Sequence, residues 1–112
     1  MLASWEDAVR LNPHDAAMHA GLAERILLAK GEDRATLEEA LDAYTRASKL
    51  NPSRPGYHLA RARLSARLGR SDEARLAATE AIRLDALTGD ATAMLDADER
   101  ETARRLAGGD AR

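Results

Sequence analysis

An all-α fold, an antiparallel helix-turn-helix array, is what three features of this 112-residue sequence predict. The first is composition. The chain holds 25 Ala and 16 Leu, the residues with the strongest helix propensity. The second is the scarcity of β-branched residues, two Ile, one Val and six Thr, which argues against an all-β fold or a parallel sheet. The third is punctuation. Turn clusters at Asn12-Pro13-His14-Asp15, Lys30-Gly31-Glu32-Asp33, Asn51-Pro52-Ser53-Arg54-Pro55-Gly56, Gly69-Arg70-Ser71-Asp72 and Thr88-Gly89-Asp90 separate stretches with helical spacing. With no Phe, one Trp and two Tyr, the core has to be built from Ala and Leu. A chain of this length can do so without disulfide or metal staples.

From about Leu2 to Leu11, Leu2, Trp5, Val9 and Leu11 share a face. From Asp15, a plausible N-cap, to Lys30, the stripe is Met18, Leu22, Ile26 and Ala29. From Arg34 to Leu50 it is Leu37, Leu41, Tyr44, Ala47 and Leu50. Pro55 suits the first position of a helix reaching Leu68, with Tyr57, Ala60, Leu64 and Leu68 as its stripe. Ser71 reads as the N-cap of a helix to Asp85, with Asp72 and Glu73 complementing its dipole. Asp90 would cap a short turn through Leu95. Asp96-Ala97-Asp98-Glu99 has capping-box spacing ahead of a last helix from about 97 to 107, stopped by Gly108-Gly109, and residues 108–112 would fray.

An internal repeat runs through these stretches. Ala8-Val9-Arg10-Leu11-Asn12-Pro13, Ala47-Ser48-Lys49-Leu50-Asn51-Pro52 and Ala81-Ile82-Arg83-Leu84-Asp85-Ala86 share an ending, spaced 39 and then 34 residues apart. Trp5, Tyr44 and Ala78 each stand three residues before the Ala, and Glu39-Ala40 matches Glu73-Ala74. Leu22, Ala23 and Ile26, then Ala40, Tyr44, Ala47 and Pro52, then Ala62, Gly69, Ala74, Ala81 and Leu84 complete the pattern. Over residues 1 to 86 the chain resembles the tetratricopeptide repeat family. That resemblance implies a half repeat at 1–13, repeats at 14–52 and 53–86, and a capping helix at 97–107. Small residues are required where paired helices approach closely, and each pair needs a neighbour to cover its face.

Departures from the family pattern give specific expectations. The first full unit has five extra residues, placed in a longer charged loop at Lys30 to Arg34. Ala86 stands where the closing Pro would be. Arg61 and Ser65 occupy positions the family prefers apolar, so the helix reads better shifted by one residue, through Tyr57, Ala60 and Leu64. The array starts inside a repeat, which would leave Leu2, Trp5 and Val9 with an uncovered side. The capping helix is expected to hide Leu84, Leu87 and Met94 from water.

Catalytic and metal chemistry find little support. Zero Cys excludes thiol nucleophiles, disulfides and Cys-based zinc sites. His14, His19 and His58 lack zinc-ligand spacing. His19 and His58 fall at equivalent repeat positions and read as packing residues. No Ser sits in a nucleophile elbow, no Gly-rich phosphate loop is present, and Glu38-Glu39 and Asp98-Glu99 read as charges at helix starts. No catalytic residue, cofactor or metal is therefore expected. The net charge of −2 gives no field for nucleic acid, and no apolar run is long enough to insert in a membrane.

Charge is unevenly spread. From Arg46 to Arg75 there are eight basic and two acidic residues; from Asp85 to Glu101 there are six acidic residues and one Arg. Arg63 and Arg67, four apart, share a helix face. The bland reading is solvated faces with mutual pairing. The sharper one is a basic strip for an acidic peptide. The family's concave groove, carried over by position, would be lined by Ala20, Glu24, Leu27 and Leu28 and by Leu59, Arg63 and Arg67. The resemblance thus implies a non-catalytic interaction module for a peptide or protein partner. Two further readings stand beside it: a terminal accessory domain of a larger bacterial protein, envelope or membrane proteins included, and a homodimer formed through Leu2, Trp5 and Val9. The cytoplasm is the expected compartment, with the periplasm as the alternative for a piece of a membrane protein.

Overall fold

The structure is a computed structural model, and it describes residues 15–31, 33–87 and 95–108. Among these residues there are five helices and no strand: α1 (Ala16–Lys30), α2 (Arg34–Leu50), α3 (Pro55–Arg67), α4 (Ser71–Leu87) and α5 (Ala97–Ala107). The predicted helix at 2–11, with Leu2, Trp5 and Val9, lies outside the described residues, as does the tail beyond Gly108.

Each helix starts and stops for a local chemical reason. The Asp15 carboxylate accepts the backbone N–H groups of Ala17 and Met18 at 3.0 and 3.4 Å, satisfying donors the first turn of α1 leaves open. Asp33 does the same for α2, accepting from Thr36 N at 2.8 Å. Pro55 occupies the first turn of α3, where its missing N–H costs nothing. Gly69 ends α3 at φ +79°. Its N–H donates to Ala66 O at 3.0 Å and the Arg70 N–H to Ser65 O at 2.8 Å, the two bonds of a Schellman stop. Asp96 and Glu99 form the predicted capping box of α5, at 2.8 and 2.9 Å. Ser71 is itself helical, so the cap of α4 is Arg70, whose carbonyl accepts from Ala74 N at 2.9 Å.

The architecture is an all-α helical array. α1 packs on α2, α2 on α3, α3 on α4 and α4 on α5, and α5 also touches α3. Short turns oblige neighbouring helices to run antiparallel. One core cluster joins Ala23 of α1, Leu37, Ala40, Leu41 and Ala43 of α2, and Leu64 and Leu68 at the end of α3. A second joins Leu59, Ala81, Leu95 and Ala103, and a third Ala62, Ala77 and Ala78, with Leu106 and Ala107 against it.

The repeat seen in the sequence is also a repeat of burial. α1 buries His19, Ala20, Ala23 and Ile26; α3 buries His58, Leu59, Ala62 and Ser65, each 39 positions later. Ala40, Ala43 and Ala47 of α2 recur 34 positions later as the buried Ala74, Ala77 and Ala81 of α4. Ala23, Ala40, Ala47, Ala62, Ala81 and Ala103 are all at 0% exposure. A longer side chain there would push the helix axes apart.

Several expectations change. The five extra residues of the first unit do not form a long loop: α1 ends at Lys30 and α2 begins at Arg34. Relative to the second pair, α1 runs two residues further past its contact alanine and α2 starts three residues earlier before its own. Within the longer ends Thr36 is buried, and Lys30 Nζ reaches Glu39 at 3.2 Å. The shifted register for α3 holds only in part: Leu64 and Leu68 of that stripe are buried. Ser65 is buried, while Tyr57 and Ala60 are only half-buried, because Leu59 and Ala62 face α5. Glu38 and Glu39 sit in the second turn of α2, not at its start. They pair with Arg70 at 2.8 Å and with Lys30. Finally, Leu84 is buried, but α4 continues to Leu87, which is 70% exposed. α5 instead covers Leu59, Ala62, Ala77, Ala78 and Ala81; Met94 lies outside the described residues.

What docks α5 is a buried carboxylate. Asp85, on α4, accepts Leu95 N at 2.8 Å and Arg100 Nε at 2.7 Å. Burial pushes the Asp85 carboxyl up, but the Arg100 guanidinium and the Leu95 N–H outweigh it and hold it below the usual carboxylate range.

Candidate functional site

The sequence-predicted groove residues separate into two groups. Glu24, Arg63 and Arg67 are exposed, and Leu28 is 79% exposed. Leu27 is half-buried against the first core cluster. Ala20 and Leu59 are not surface residues. Ala20 is buried, and Leu59, at 1% exposure, packs on Ala81, Leu95 and Ala103. Leu59 therefore lines no groove: α5 occupies the space in front of it.

Glu24 and Arg63 are brought together by Tyr44, a residue that helical periodicity assigns to packing alone. Tyr44, from α2, is half-buried against the first core cluster and lies within electrostatic reach of Glu24 of α1 and Arg63 of α3, with Tyr57 nearby. Burial of the ring, reinforced by the Glu24 charge, pushes the Tyr44 hydroxyl up to about 12, while Arg63 pulls the other way. The phenol is thus a neutral hydrogen-bond donor through the whole physiological range. Arg54 lies over the Tyr57 ring, 5.6 Å from its centroid, within cation–π range. The resulting face runs across three helices: Glu24 and Leu27, then Tyr44, then Tyr57, Arg63 and Arg67. The available signal for Tyr44 was chemical, since a tyrosine buried by its ring seeks a polar partner for its hydroxyl.

A second concavity lies between α3 and α4. A cleft of about 260 Å³ is lined by Pro52, His58, Arg61, Glu73, Leu76, Ala77 and Glu80. His58 Nε2–H donates to the Pro52 carbonyl at 2.9 Å, which leaves Nδ1 to accept from Arg61 Nη1 at 3.4 Å. Both ring nitrogens thereby have partners, so His58 holds the α2–α3 turn against its helix. His19 is buried at the matching position of α1, and His14 lies outside the described residues. Among the described residues no group of His, Asp and Glu is arranged to hold a metal ion. No described helix is long and apolar enough to cross a membrane.

Chemically, the Glu24–Tyr44–Arg63 face offers fixed charge, a neutral phenol and half-buried apolar surface, the ingredients of non-covalent recognition. No protein-family model matches the chain, and no curated protein matches it.

Proposed function

We propose that this chain is a non-catalytic protein-interaction module of the tetratricopeptide type, which binds an acidic peptide or partner surface across α1, α2 and α3. The observation that carries this reading is the half-buried Tyr44 of α2 with the exposed charges of Glu24 on α1 and Arg63 on α3 both within its electrostatic reach. One polar row thereby spans three successive helices beside the half-buried Leu27 and Tyr57. Arg63 and Arg67 supply the charge that would orient a carboxylate-bearing segment. The alanine contacts that recur between the helix pairs support the family assignment.

A pull-down from lysate with the wild-type chain and with Arg63→Glu/Arg67→Glu tests this reading. The double variant is expected to lose partners that the wild type recovers. Equal recovery by both would reject this face as the binding site.

A further inference from the structure

We infer that α4 is a self-association helix, which pairs antiparallel with α4 of a second copy of this chain about a two-fold axis passing between Ala81 and Ile82. Leu76 and Leu87 are 71% and 70% exposed, and Arg83 is exposed between them. Leu76, Glu80, Arg83 and Leu87 are spaced four, three and four residues apart, so they form a single stripe along the helix. That stripe lies opposite Ala74, Ala78, Ala81 and Asp85, with the buried Ala77 and Leu84 along one edge, where Leu76 and Glu80 form the lip of the α3–α4 cleft. The spacing is that of a helix–helix seam in which alternate positions are three and four apart.

The order of side chains along the stripe selects the partner. Read from either end it is leucine, charge, opposite charge, leucine. Two antiparallel copies would set Leu76 against Leu87 of the second copy and Glu80 against its Arg83, and the same contacts would recur on the other side of the axis. A two-fold interface needs this kind of self-complementarity. Within one chain Glu80 and Arg83 already bond side by side, Nε to Oε1 at 3.0 Å, so the four charges of a dimer would form one alternating network. The flanking exposed positions Thr79 and Ala86 are small, which lets two backbones approach. Nothing in the repeat itself calls for the leucines. At the matching positions of α2, 34 residues earlier, Asp42, Arg46 and Lys49 stand in place of Leu76, Glu80 and Arg83.

Sedimentation equilibrium of the full chain, from about 10 μM to about 1 mM as suits a small interface, reads the association directly. The wild type is expected to pass from one chain to two. Leu76→Lys/Leu87→Lys should stay monomeric with an unchanged helical circular dichroism spectrum. Glu80→Arg alone and Arg83→Glu alone should each weaken dimerisation at least about tenfold, by setting like charges opposite each other. An equimolar mixture of those two variants should recover it. Each contact between position 80 of one chain and position 83 of the other would then again join an arginine to a glutamate. A wild type that remains monomeric throughout, a Leu76→Lys/Leu87→Lys variant that still dimerises, or a mixture that fails to associate would overturn the proposal.

Discussion

The helix pairs α1–α2 and α3–α4 carry matching alanines at their contacts, Ala23 and Ala40 in the first and Ala62 and Ala74 in the second. They then fill the space around those contacts differently. In α2 the position three residues before Ala47 is Tyr44, which packs on the first core cluster within electrostatic reach of Glu24. The matching residue of α4 is Ala78, and Leu106 and Ala107 of α5 pack there instead. On α1 the small Ala20 stands where α3 has the fully buried Leu59. The outer face of α2 carries only charges at positions where α4 carries Leu76. Close helix approach fixes the alanines. The residues around them are free to specialise: Tyr44 adds a large polar-tipped ring in the first pair, while Ala78 leaves room for α5 in the second.

Breaking the specialised contacts should therefore cost more in the second pair. The largest effect is expected for Leu59→Ala, which opens a cavity beneath α5; chemical denaturation should show a loss of about 2–5 kcal/mol. Next comes Asp85→Ala, which strands Arg100 and the Leu95 N–H. A loss of about 2–3 kcal/mol is expected from charge-assisted bonds of this kind. Hydrogen exchange should show α5 opening ahead of α1 and α2. Acid gives the same result reversibly. The folded Asp85 carboxyl lies below its ordinary 3.8, so its stabilisation is full above that value and disappears as pH falls through the depressed one. Denaturation midpoints measured from pH 6 down to pH 2 should fall in that lower window, and Asp85→Asn should flatten the dependence.

In the first pair the effects are smaller and more specific. Absorbance titration of the two tyrosines should show Tyr44 ionising at about 12, with that late step absent in Tyr44→Phe. Because its folded value is raised, the stability linked to Tyr44 persists below the unfolded value near 10 and is lost as pH rises through about 12. The smallest change is expected at the tie between the pairs, Arg70 to Glu38 at 2.8 Å. Both side chains are partly exposed, so Arg70→Ala should cost no more than about 1 kcal/mol, and less in high salt.

Much of this fold could be read from the sequence. Asp15, Pro55 and the Asp96–Glu99 box mark their helix starts because capping is local chemistry. The alanine repeat marks the contacts because close approach admits few alternatives. What stayed hidden depends on tertiary neighbours. The five extra residues could lengthen a loop or two helices, and only the tertiary contacts of the longer ends, the buried Thr36 and the Lys30–Glu39 pair, decide between them. Leu59 matches a groove position by its place in the repeat, but α5 lies over it. Asp85 ends a repeat motif in the sequence; its bond to Arg100, fifteen residues on, has no local signature. Of the proposed face, the charges Glu24 and Arg63 were foreseeable through the resemblance to the repeat family. The tyrosine that joins them was not, because helical periodicity reports the burial of its ring and says nothing of its hydroxyl.

The array thus carries two proposed surfaces, recognition across α1, α2 and α3 and self-association on the outer side of α4. The most direct test is fluorescence anisotropy of a labelled Glu-rich peptide, with a Lys-rich peptide as control, titrated with wild-type, Arg63→Glu/Arg67→Glu and Leu76→Lys/Leu87→Lys chains. Saturable binding of the Glu-rich peptide alone is expected, weakened at least about tenfold by the arginine substitutions and unchanged by the leucine substitutions. Equal binding by the wild type and the Arg63→Glu/Arg67→Glu variant would contradict it.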